Sequence, residues 1–162
     1  MKKNIVITGG GGFVGSRVCE EFVKNNYQVT IYDKFIQYFT PNPHQETFDI
    51  SNRLRGIIDD INIVRGDTSD RDFLRRTIND IRPNIVVHMA ALPLANIAIE
   101  YTEEANASIL QSTMNLMEII SDADWECRLV YISSSMVYGD FETSTVDEIS
   151  ATNPKEIYGT LK

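Results

Sequence analysis

Two ionisable side chains near the end of the chain have types and a spacing suited to proton transfer. Tyr158 and Lys162 are four residues apart, and on a helix this separation puts both side chains on one face. An ammonium beside a phenol favours the phenolate and lowers the tyrosine pKa from about 10 towards working pH. A phenolate can take the proton of an alcohol as a general base. Because the same spacing also arises by chance, the pair needs support from the rest of the chain.

Three consecutive hydroxyl side chains precede this pair in the sequence. Ser133, Ser134 and Ser135 stand at the end of a strand-like run at 129–133. In open α/β sheets the carboxyl ends of the strands hold the ligands, so these serines lie where a ligand is expected. The alternative is that they only cap the end of a strand.

A glycine-rich turn near the start of the chain suggests a cofactor. Gly9, Gly12 and Gly15 lie between a strand-like run at 4–8 and a helical pattern at 13–24. The first glycine permits a tight turn and the second lets bare backbone approach a pyrophosphate. The third lets the helix pack closely on its strand, with its N-terminus towards the phosphates. Consecutive glycines also suit a merely flexible turn, but the flanking strand and helix favour a dinucleotide site.

An acidic residue stands where a dinucleotide site needs one. The run at 28–32 predicts a second strand, and Asp33 follows it. A carboxylate at this point accepts hydrogen bonds from the adenosine ribose hydroxyls and repels a 2′-phosphate, which favours NAD over NADP. The neighbouring Lys34 weakens that preference. With a nicotinamide cofactor, the role that fits Tyr158 is general base for an alcohol whose hydride leaves to the nicotinamide.

These residues need a scaffold that brings the two ends of the chain together. Helical patterns lie between strand-like runs, with strands at 4–8, 28–32, 62–65, 85–88 and 129–133 and helices at 13–24, 70–81 and 100–121. This alternation predicts an α/β fold, a doubly wound parallel sheet with helices on both faces. Ser69 and Asp72 are similar to a capping box at the start of the helix at 70–81.

The stretch 34–52 is the least regular part of the chain. Its prolines and aromatic residues predict a loop over the adenosine side of the site, with a short helix after Asp49. We interpret His44, which lies in this loop, as a solvated residue rather than a catalyst.

Length and composition exclude several kinds of protein. The 162 residues, 43% of them hydrophobic, suffice for one domain (1–162) with a core. A net charge of −8 argues against binding to nucleic acid or to an anionic membrane surface. We find no signal peptide and no run long enough to span a bilayer. Cys19 and Cys127 have neither metal-site nor disulfide spacing, so we expect a cytoplasmic protein.

Taken together, these motifs resemble those of the extended short-chain dehydrogenase/reductases, the group of NAD-dependent nucleotide-sugar epimerases and dehydratases. The family's Thr-Gly-Gly-x-Gly-Phe-x-Gly motif matches residues 8–15 without a mismatch, and its His-x-Ala-Ala element matches residues 88–91. Its acid after the third strand matches Asp67. Its serine or threonine, four residues before the tyrosine of Val-Tyr-Gly, falls on Ser134. Its Tyr-x-x-x-Lys falls on residues 158–162.

The resemblance implies a Rossmann-type fold, NAD as the cofactor and a nucleotide-sugar substrate. It implies that Tyr158 is the acid/base, that Lys162 binds the nicotinamide ribose hydroxyls and that Ser134 bonds the reacting oxygen. The residues expected to contact the cofactor are Gly9, Gly12, Phe13, Val14, Gly15, Asp33, Asp67, Thr68, Ala90, Ala91, Tyr158 and Lys162. We interpret His88 as a packing residue at a strand end and Tyr138 as structural or as a substrate-side contact.

The residues after Ser134 bear on the type of reaction. In the family's sugar 4,6-dehydratases an Asp-Glu pair at this point supplies the acid and base for elimination of water, whereas this chain has Ser135 and Met136. The serine run looks more like that of the 4-epimerases, which remove a hydride from C4 and return it to the other face of a keto intermediate. A decarboxylase or reductase of the same family and a non-catalytic dinucleotide-binding module remain alternatives.

The chain also departs from the family's pattern. In the helix before the fifth strand, Ile109 and Ser112 replace an asparagine and a glycine, and Pro93 stands where sugar epimerases can carry a cofactor-contacting lysine. Family members continue well beyond this length into a sugar-nucleotide domain. We therefore expect the chain to be the NAD-binding portion of a longer protein, homodimeric at full length, and not fully active by itself.

Overall fold

The computed structural model describes residues 2–36, 52–141 and 144–162. Its strands are β1 (Asn4–Thr8), β2 (Gln28–Asp33), β3 (Ile61–Arg65), β4 (Ile85–His88) and β5 (Arg128–Tyr131). Its helices are α1 (Phe13–Lys24), α2 (Arg71–Ile81), α3 (Ala95–Glu100), α4 (Thr102–Ala105), α5 (Ser112–Ser121) and α6 (Ile157–Leu161). Each strand predicted from the sequence is present, and its ends differ from the prediction by no more than two residues.

The sheet is parallel throughout and has the strand order β3-β2-β1-β4-β5. The chain builds outwards from β1 on one side and then crosses to the other side, so that β1 lies between β2 and β4. In this register Thr8 pairs with both Tyr32 and His88. A reversal of strand order opens a crevice at the carboxyl ends of the strands, which is where ligands bind in such sheets. The predicted doubly wound sheet is confirmed.

The side chains of β1 alternate between two hydrophobic layers. Ile5 and Ile7 pack on the side of α1, against Cys19. Val6 points to the opposite face of the sheet. There it belongs to a layer formed by Leu74 of α2 and by residues of α5. These five side chains have no exposed area. Helices therefore cover both faces of the sheet, as the continuous apolar strands predict.

A third apolar cluster holds the last helix in place. Ile97 of α3, Ala105 of α4 and Ile109 are buried together, and Tyr158 and Leu161 of α6 pack against them. At five residues, α6 is too short to be stable without packing partners. These contacts therefore decide where the side chains of α6 lie.

The segment predicted as one helix at 100–121 is interrupted. After α3 and α4, the residues Asn106–Gln111 form a π-helical turn that leads into α5. The amide of Ser112 donates to the carbonyl oxygen of Ala107, five residues back rather than four.

Two hydroxyl groups stabilise this π-turn. Ser112 Oγ donates to the carbonyl oxygen of Ser108, and Thr113 Oγ1 donates to that of Ile109, both at 2.6 Å. Serine and threonine that bond back to carbonyls one turn earlier distort helices. The interruption therefore has a local cause in residues 112 and 113.

The start of α2 also differs from the prediction. Asp70, not Ser69, caps this helix, because its carboxylate accepts the amide of Phe73 at 3.1 Å. The amide and hydroxyl of Ser69 both donate to Asp67, at 2.9 and 2.7 Å. The predicted capping role of Ser69 is wrong, since the Asx turn at Asp67 occupies that side chain.

Part of the loop predicted at 34–52 falls outside the described residues, and so do His44 and Asp49. Residues 52–54 are helical. Across the described ranges, none of the helices combines the length and the apolar character that crossing a membrane requires.

Candidate active site

A cavity of about 600 Å³ opens at the carboxyl ends of β1, β2 and β4. It is lined by the segments that follow these strands, by those that follow β3 and β5, and by α6. All residues that the sequence analysis assigned to cofactor binding line this cavity: Gly9, Gly12, Phe13, Val14, Gly15, Asp33, Asp67, Thr68, Ala90, Ala91, Tyr158 and Lys162. The fold thus brings the glycine turn and the Tyr158–Lys162 pair together from opposite ends of the chain.

The glycine turn needs glycine for steric reasons. Gly9 has φ of +73°, and a Cβ there would lie 2.8 Å from the amide nitrogen of Ala90. A Cβ on Gly15 would lie 2.2 Å from the carbonyl oxygen of Gly9, so a larger residue would push α1 away from the turn. Gly9 and Gly15 therefore have the roles predicted from the sequence, a tight turn and a close helix approach.

The start of α1 faces the cavity. Gly12 precedes the helix and has no side chain with which to cap the first amides. Phe13 and Val14 are 74% and 58% exposed and both line the cavity. Free amides at a helix N-terminus, together with the helix dipole, favour a phosphate group.

The carboxylate of Asp33 lies at the end of β2 and is fixed by the backbone. Its Oδ2 accepts the amide of Gly11 at 2.8 Å, and its Oδ1 accepts the amide of Phe35 at 2.7 Å. Each carboxylate oxygen has a second acceptor site. Asp33 is therefore oriented towards the glycine turn and can still accept hydrogen bonds from ribose hydroxyls.

A second carboxylate beside it is neutralised by a lysine. Lys34 Nζ lies 2.8 Å from Asp67 Oδ2 and 3.8 Å from Glu104 Oε1. Burial opposes ionisation of Asp67, but the hydrogen bonds from Lys34 and Ser69 outweigh it and hold the pKa of this carboxyl below its usual value. Lys34 therefore forms ion pairs with two carboxylates.

Tyr158 and Lys162 lie in the same cavity without a direct hydrogen bond between them. Lys162 Nζ donates to the carbonyl oxygen of Ile132 at 2.9 Å. It is 5.4 Å from the ring centroid of Tyr131 and 6.0 Å from that of Tyr158. The ammonium therefore bonds the backbone just after β5 and lies over the faces of two aromatic rings.

This geometry overturns one expectation about ionisation. Burial raises the pKa of Tyr158 above its ordinary value, and the phenol of Tyr131 acts in the same direction. Burial also lowers the pKa of Lys162. The lowered tyrosine pKa expected from the four-residue spacing is absent in this structure, because desolvation outweighs an ammonium that lies over the ring.

The serine run divides into two environments. Ser133 lines the cavity. Ser134 begins a 3₁₀ turn at Ser135–Tyr138, and its hydroxyl accepts the amide of Met136 at 3.2 Å. Ser134 is not among the described residues that line the cavity. Ser134 therefore caps the 3₁₀ turn, whereas β5 already ends at Tyr131, so neither the ligand contact nor the strand-end cap describes its present contacts.

His88 connects three elements in the interior beneath the cavity. Thr8 Oγ1 accepts the amides of Met89 and Ala90, each at 3.2 Å, and lies 2.7 Å from His88 Nδ1. With those two amides accepted, the hydroxyl hydrogen of Thr8 is directed to Nδ1. The ring proton then belongs on Nε2, which lies 3.3 Å from Ser112 Oγ.

The imidazole of His88 is neutral over the physiological range. Burial, followed by the positive charge of Lys162, lowers the pKa of this histidine to about 4. With 1% of its surface exposed, His88 is a packing residue that ties β4 to β1 and to α5, in agreement with the sequence interpretation.

Two polar residues that the sequence analysis did not select also line the cavity, Arg53 and Ser108. Arg53 Nη1 donates to the carbonyl oxygen of Gly11 at 3.4 Å. An isolated arginine after an irregular segment carries no sequence signal for this contact. Ser108 lies in the π-turn, and helical periodicity does not indicate such a turn.

The cavity fits a pyridine dinucleotide. The glycine turn and the first amides of α1 form a cradle that any side chain at Gly9 or Gly15 would fill. Two carboxylates lie at one end of it, and a phenol and an ammonium lie at the other. No group of metal-ligating side chains occurs within residues 2–36, 52–141 and 144–162.

Comparison with known proteins agrees with this geometry. A model of the NAD dependent epimerase/dehydratase family matches residues 5–162. A UDP-glucose 4-epimerase of Neisseria meningitidis serogroup A is 29% identical over 162 residues, covering 99% of this chain and 45% of that protein. UDP-glucuronate 4-epimerase 1 of Arabidopsis thaliana is 29% identical over 160 residues, covering 98% of this chain and 36% of that protein. The chain spans less than half the length of these relatives.

Solved structures share the fold. A UDP-glucose 4-epimerase from Brucella ovis, in complex with NAD, aligns with a TM-score of 0.81 at 22% identity, over 98% of this chain and 44% of that one. A dTDP-glucose 4,6-dehydratase from Bacillus anthracis, also in complex with NAD, aligns with a TM-score of 0.77 at 22% identity, over 99% and 47%. Since an epimerase and a dehydratase both align, the fold does not separate the two reactions.

Proposed function

The chain belongs to the NAD-dependent epimerase/dehydratase family, and on that premise we propose that it is the cofactor-binding part of a nucleotide-sugar 4-epimerase. In this reaction the configuration at C4 of the sugar inverts without net consumption of cofactor. The observation that carries the proposal is that the dinucleotide cradle and the Tyr158–Lys162 pair line one cavity.

The acidic groups of the cavity favour epimerisation over dehydration. The carboxylates among its described lining residues are Asp33 and Asp67. Asp33 bonds the backbone of the glycine turn and Asp67 pairs with Lys34. Ser135 and Met136 stand where elimination of water needs an acid and a base. Neither residue can transfer a proton as a carboxyl group does, which supports a reaction without elimination.

Each candidate site residue has a defined task in this proposal. The glycine turn and the start of α1 bind the pyrophosphate, and Asp33 accepts the adenosine ribose hydroxyls. Tyr158 takes the proton of the C4 hydroxyl and returns it once the configuration has changed. Lys162 bonds the nicotinamide ribose. Ser134, whose hydroxyl accepts the amide of Met136 in this structure, turns towards the cavity and bonds the reacting oxygen when the site is filled. Held by the glycine turn, Asp33 and Lys162, NAD would supply reversible hydride acceptance at C4.

The ionisation of Tyr158 in the ligand-free geometry sets a condition on this mechanism. A phenol whose pKa is raised is a poor base at neutral pH. We propose that the Lys162 ammonium leaves the carbonyl oxygen of Ile132 and approaches the phenol when the site is filled. The attraction between an ammonium and a phenolate then lowers the tyrosine pKa.

The proposal is tested by assaying the natural full-length protein with a UDP-hexose and NAD. We expect interconversion of C4 epimers with no accumulation of NADH. Tyr158→Phe should lower kcat by roughly 10²–10⁴-fold, because proton transfer is lost, and should leave NAD binding within a few-fold of wild type. NADH accumulation would indicate a reductase or decarboxylase, and loss of water from the sugar would indicate a dehydratase.

A non-catalytic dinucleotide-binding module is the second candidate. Two observations favour it: Ser134 caps a turn instead of lining the cavity, and the pKa of Tyr158 is raised. For such a module, Tyr158→Phe leaves biological function intact, and the full-length protein binds NAD without turning over any nucleotide sugar.

Two further properties complete the proposal. We propose that the full-length protein is a homodimer, supported by the exposed apolar side chains of Met114 and Met117 on α5. We also propose that it acts in the cytoplasm, supported by two cysteines that are free in the structure, Cys19 and Cys127.

A further inference from the structure

The aromatic residue at the end of β5 contacts Lys162 at two points. The ammonium of Lys162 lies 5.4 Å from the ring centroid of Tyr131, within the distance of about 6 Å over which the face of an aromatic ring attracts a cation. The hydroxyl of Tyr131 donates to the backbone carbonyl oxygen of Lys162 at 3.3 Å, which is long for a hydrogen bond between two oxygens. The ring face is therefore the contact that bears on the charged group.

The position of this ring is set by the sheet. Tyr131 pairs with His88 across β4 and β5, and the centroids of the two rings are 5.9 Å apart at an interplanar angle of 33°. His88 is itself held by Thr8 and Ser112. The neutral imidazole can pack against Tyr131 without repelling the nearby ammonium. The ring of Tyr131 is therefore supported from the interior of the protein.

Titratable groups from three elements surround the ammonium. Tyr131 of β5 and Tyr158 of α6 both present their rings to it. His88 of β4 also lies near, since the charge of Lys162 adds to burial in lowering the pKa of the imidazole. All three groups are uncharged at neutral pH, so the attraction that they offer the ammonium comes from the two aromatic rings.

The ring of Tyr131 and the carbonyl oxygen of Ile132 restrict the ammonium differently. A hydrogen bond to a carbonyl oxygen requires an N–H group that points at it, whereas the attraction to a ring face depends on the distance from the centroid. The ammonium can therefore leave the carbonyl oxygen of Ile132 and still lie over Tyr131. The ring thus keeps the ammonium within reach of Tyr158 during that movement.

We propose that Tyr131 is a positioning residue for Lys162, and that its ring face holds the ammonium where it can stabilise the phenolate of Tyr158. This inference rests on the proposed function, in which Tyr158 takes the proton of the C4 hydroxyl. Tyr131 is not among the described residues that line the cavity, so it acts through Lys162. Removal of the ring should raise the pH at which Tyr158 ionises, because the ammonium is then less well placed.

The pH profile of the natural full-length protein, assayed with a UDP-hexose and NAD⁺, tests this role. At pH values below the pKa of Tyr158 in the complex, kcat is proportional to the fraction of phenolate. Tyr131→Leu should move the rising limb of the profile up by about one pH unit, and should therefore lower kcat about tenfold below that limb. The loss should disappear at higher pH.

Two variants serve as controls for this profile. Tyr131→Phe keeps the ring and removes only the hydroxyl, so it should restore the wild-type profile. Tyr27→Leu removes a ring that packs edge-on against Phe22, with centroids 5.0 Å apart, and should leave the profile unchanged.

A titration without turnover tests the same contact. With NAD⁺ bound, the tyrosinate absorbance of Tyr131→Leu is compared with that of the double variant Tyr131→Leu/Tyr158→Phe, and the difference isolates Tyr158. The transition should lie about one pH unit above the transition obtained in the same way from wild type and Tyr158→Phe.

Three results would overturn the inference. The first is an unchanged profile and an unchanged titration in Tyr131→Leu. The second is a Tyr131→Phe variant that behaves like Tyr131→Leu, because the hydroxyl would then be responsible. The third is a loss of kcat by the same factor at every pH, which indicates a structural role. A wild-type protein that binds NAD⁺ without interconverting epimers would contradict the proposed function, and the titration would still decide the role of Tyr131.

Discussion

The phenol of Tyr158 and the ammonium of Lys162 line the cavity and are partly buried. Burial disfavours the charged form of each group, which raises the pKa of Tyr158 and lowers that of Lys162. The two shifts work against the phenolate–ammonium state on which proton abstraction depends. At the scale of single residues, the proposed proton transfer therefore requires a change in the contacts of Lys162.

The burial of Tyr158 predicts how its phenol titrates. Without ligand, Tyr158 should ionise at a higher pH than an ordinary tyrosine, because burial favours the neutral phenol. The difference in absorbance at tyrosinate wavelengths between wild type and Tyr158→Phe, followed against pH, isolates this group. With NAD⁺ bound the transition should move to lower pH. A transition that stays in place on cofactor binding contradicts the proposed rearrangement of Lys162.

Asp33 leads to a prediction about cofactor preference. Its carboxylate is held at the glycine turn, and we expect it to repel a 2′-phosphate there. Asp33→Asn removes the charge, and we expect the NADP⁺ affinity relative to NAD⁺ to rise about tenfold, which corresponds to roughly 1.4 kcal/mol of repulsion. Titrations with both cofactors measure the ratio. Asp59→Asn, at an exposed position before β3, should leave the ratio unchanged.

Individual site residues were predictable to different degrees. Gly9 and Gly15 have roles set by local sterics, and these roles can be read from sequence spacing. The ionisation of Tyr158 depends on how deeply the phenol is buried and on where the Lys162 ammonium bonds. Spacing along a helix determines neither quantity. The position of Ser108 in the cavity lining escaped prediction because it depends on the π-turn.

At the scale of elements, α6 is held by very close packing against the 3₁₀ turn Ser135–Tyr138. A Cβ on Gly159 would lie 2.4 Å from the carbonyl oxygen of Met136. Gly159→Ala should therefore displace α6 from the 3₁₀ turn and lower the free energy of unfolding by about 1–3 kcal/mol. Thermal denaturation measures this loss. In the full-length protein, kcat should fall about tenfold or more, because Tyr158 is displaced.

The chain offers a matched control for this substitution. A Cβ on Gly56 would meet no atom within 4 Å, so Gly56→Ala should be tolerated. If Gly159→Ala proved as stable and as active as Gly56→Ala, the close contact of α6 would have no structural consequence.

The link that His88 makes between β1, β4 and α5 predicts a pH dependence of stability. The pKa of this imidazole is about 4 when folded, against an ordinary value near 6.5. The unfolded chain therefore binds more protons between these values, and the free energy of unfolding falls as the pH falls through this window. The total loss is on the order of 3 kcal/mol, and none of it occurs above pH about 7.

Urea denaturation between pH 4.5 and 7.5 measures this dependence. His88→Gln should abolish this part of the slope, whereas His44→Gln, at the other histidine of the chain, should retain it. A wild-type slope that persists in His88→Gln would mean that other groups cause the acid sensitivity.

Regular elements were predictable where hydrophobic periodicity alone decides them. The five strands and α1 show this, since their apolar patterns match the layers they enter. Periodicity did not predict the structure of the segment 100–121. Ser112 and Thr113 donate hydrogen bonds to carbonyl oxygens, and Ser112 also contacts His88. These contacts convert part of a helix into a π-turn. The start of α2 shows the same limit, since Asp67 binds Ser69 and leaves the cap to Asp70.

At the scale of the whole molecule, the outer face of α5 presents an apolar stripe. Met114 and Met117 are 53% and 57% exposed, and their three-residue spacing puts them on one face of the helix. If the full-length protein is a homodimer through this face, Met117→Glu should shift it towards the monomer in analytical ultracentrifugation. Glu126→Gln, an exposed change before β5, should leave the oligomeric state unchanged. A wild-type monomer would contradict the proposed dimer.

Ribosomal synthesis delivers the strands in an order that differs from their order in the sheet. β1 is made first and soon gains β2, but its other neighbour arrives much later, since Thr8 and His88 are 80 residues apart. At about 5–20 residues per second, translation of that interval takes roughly 4–16 s. Throughout this time one edge of β1 has unpaired amide and carbonyl groups, which can pair with another nascent chain. The central strand of the finished sheet is thus the one most dependent on timely elongation.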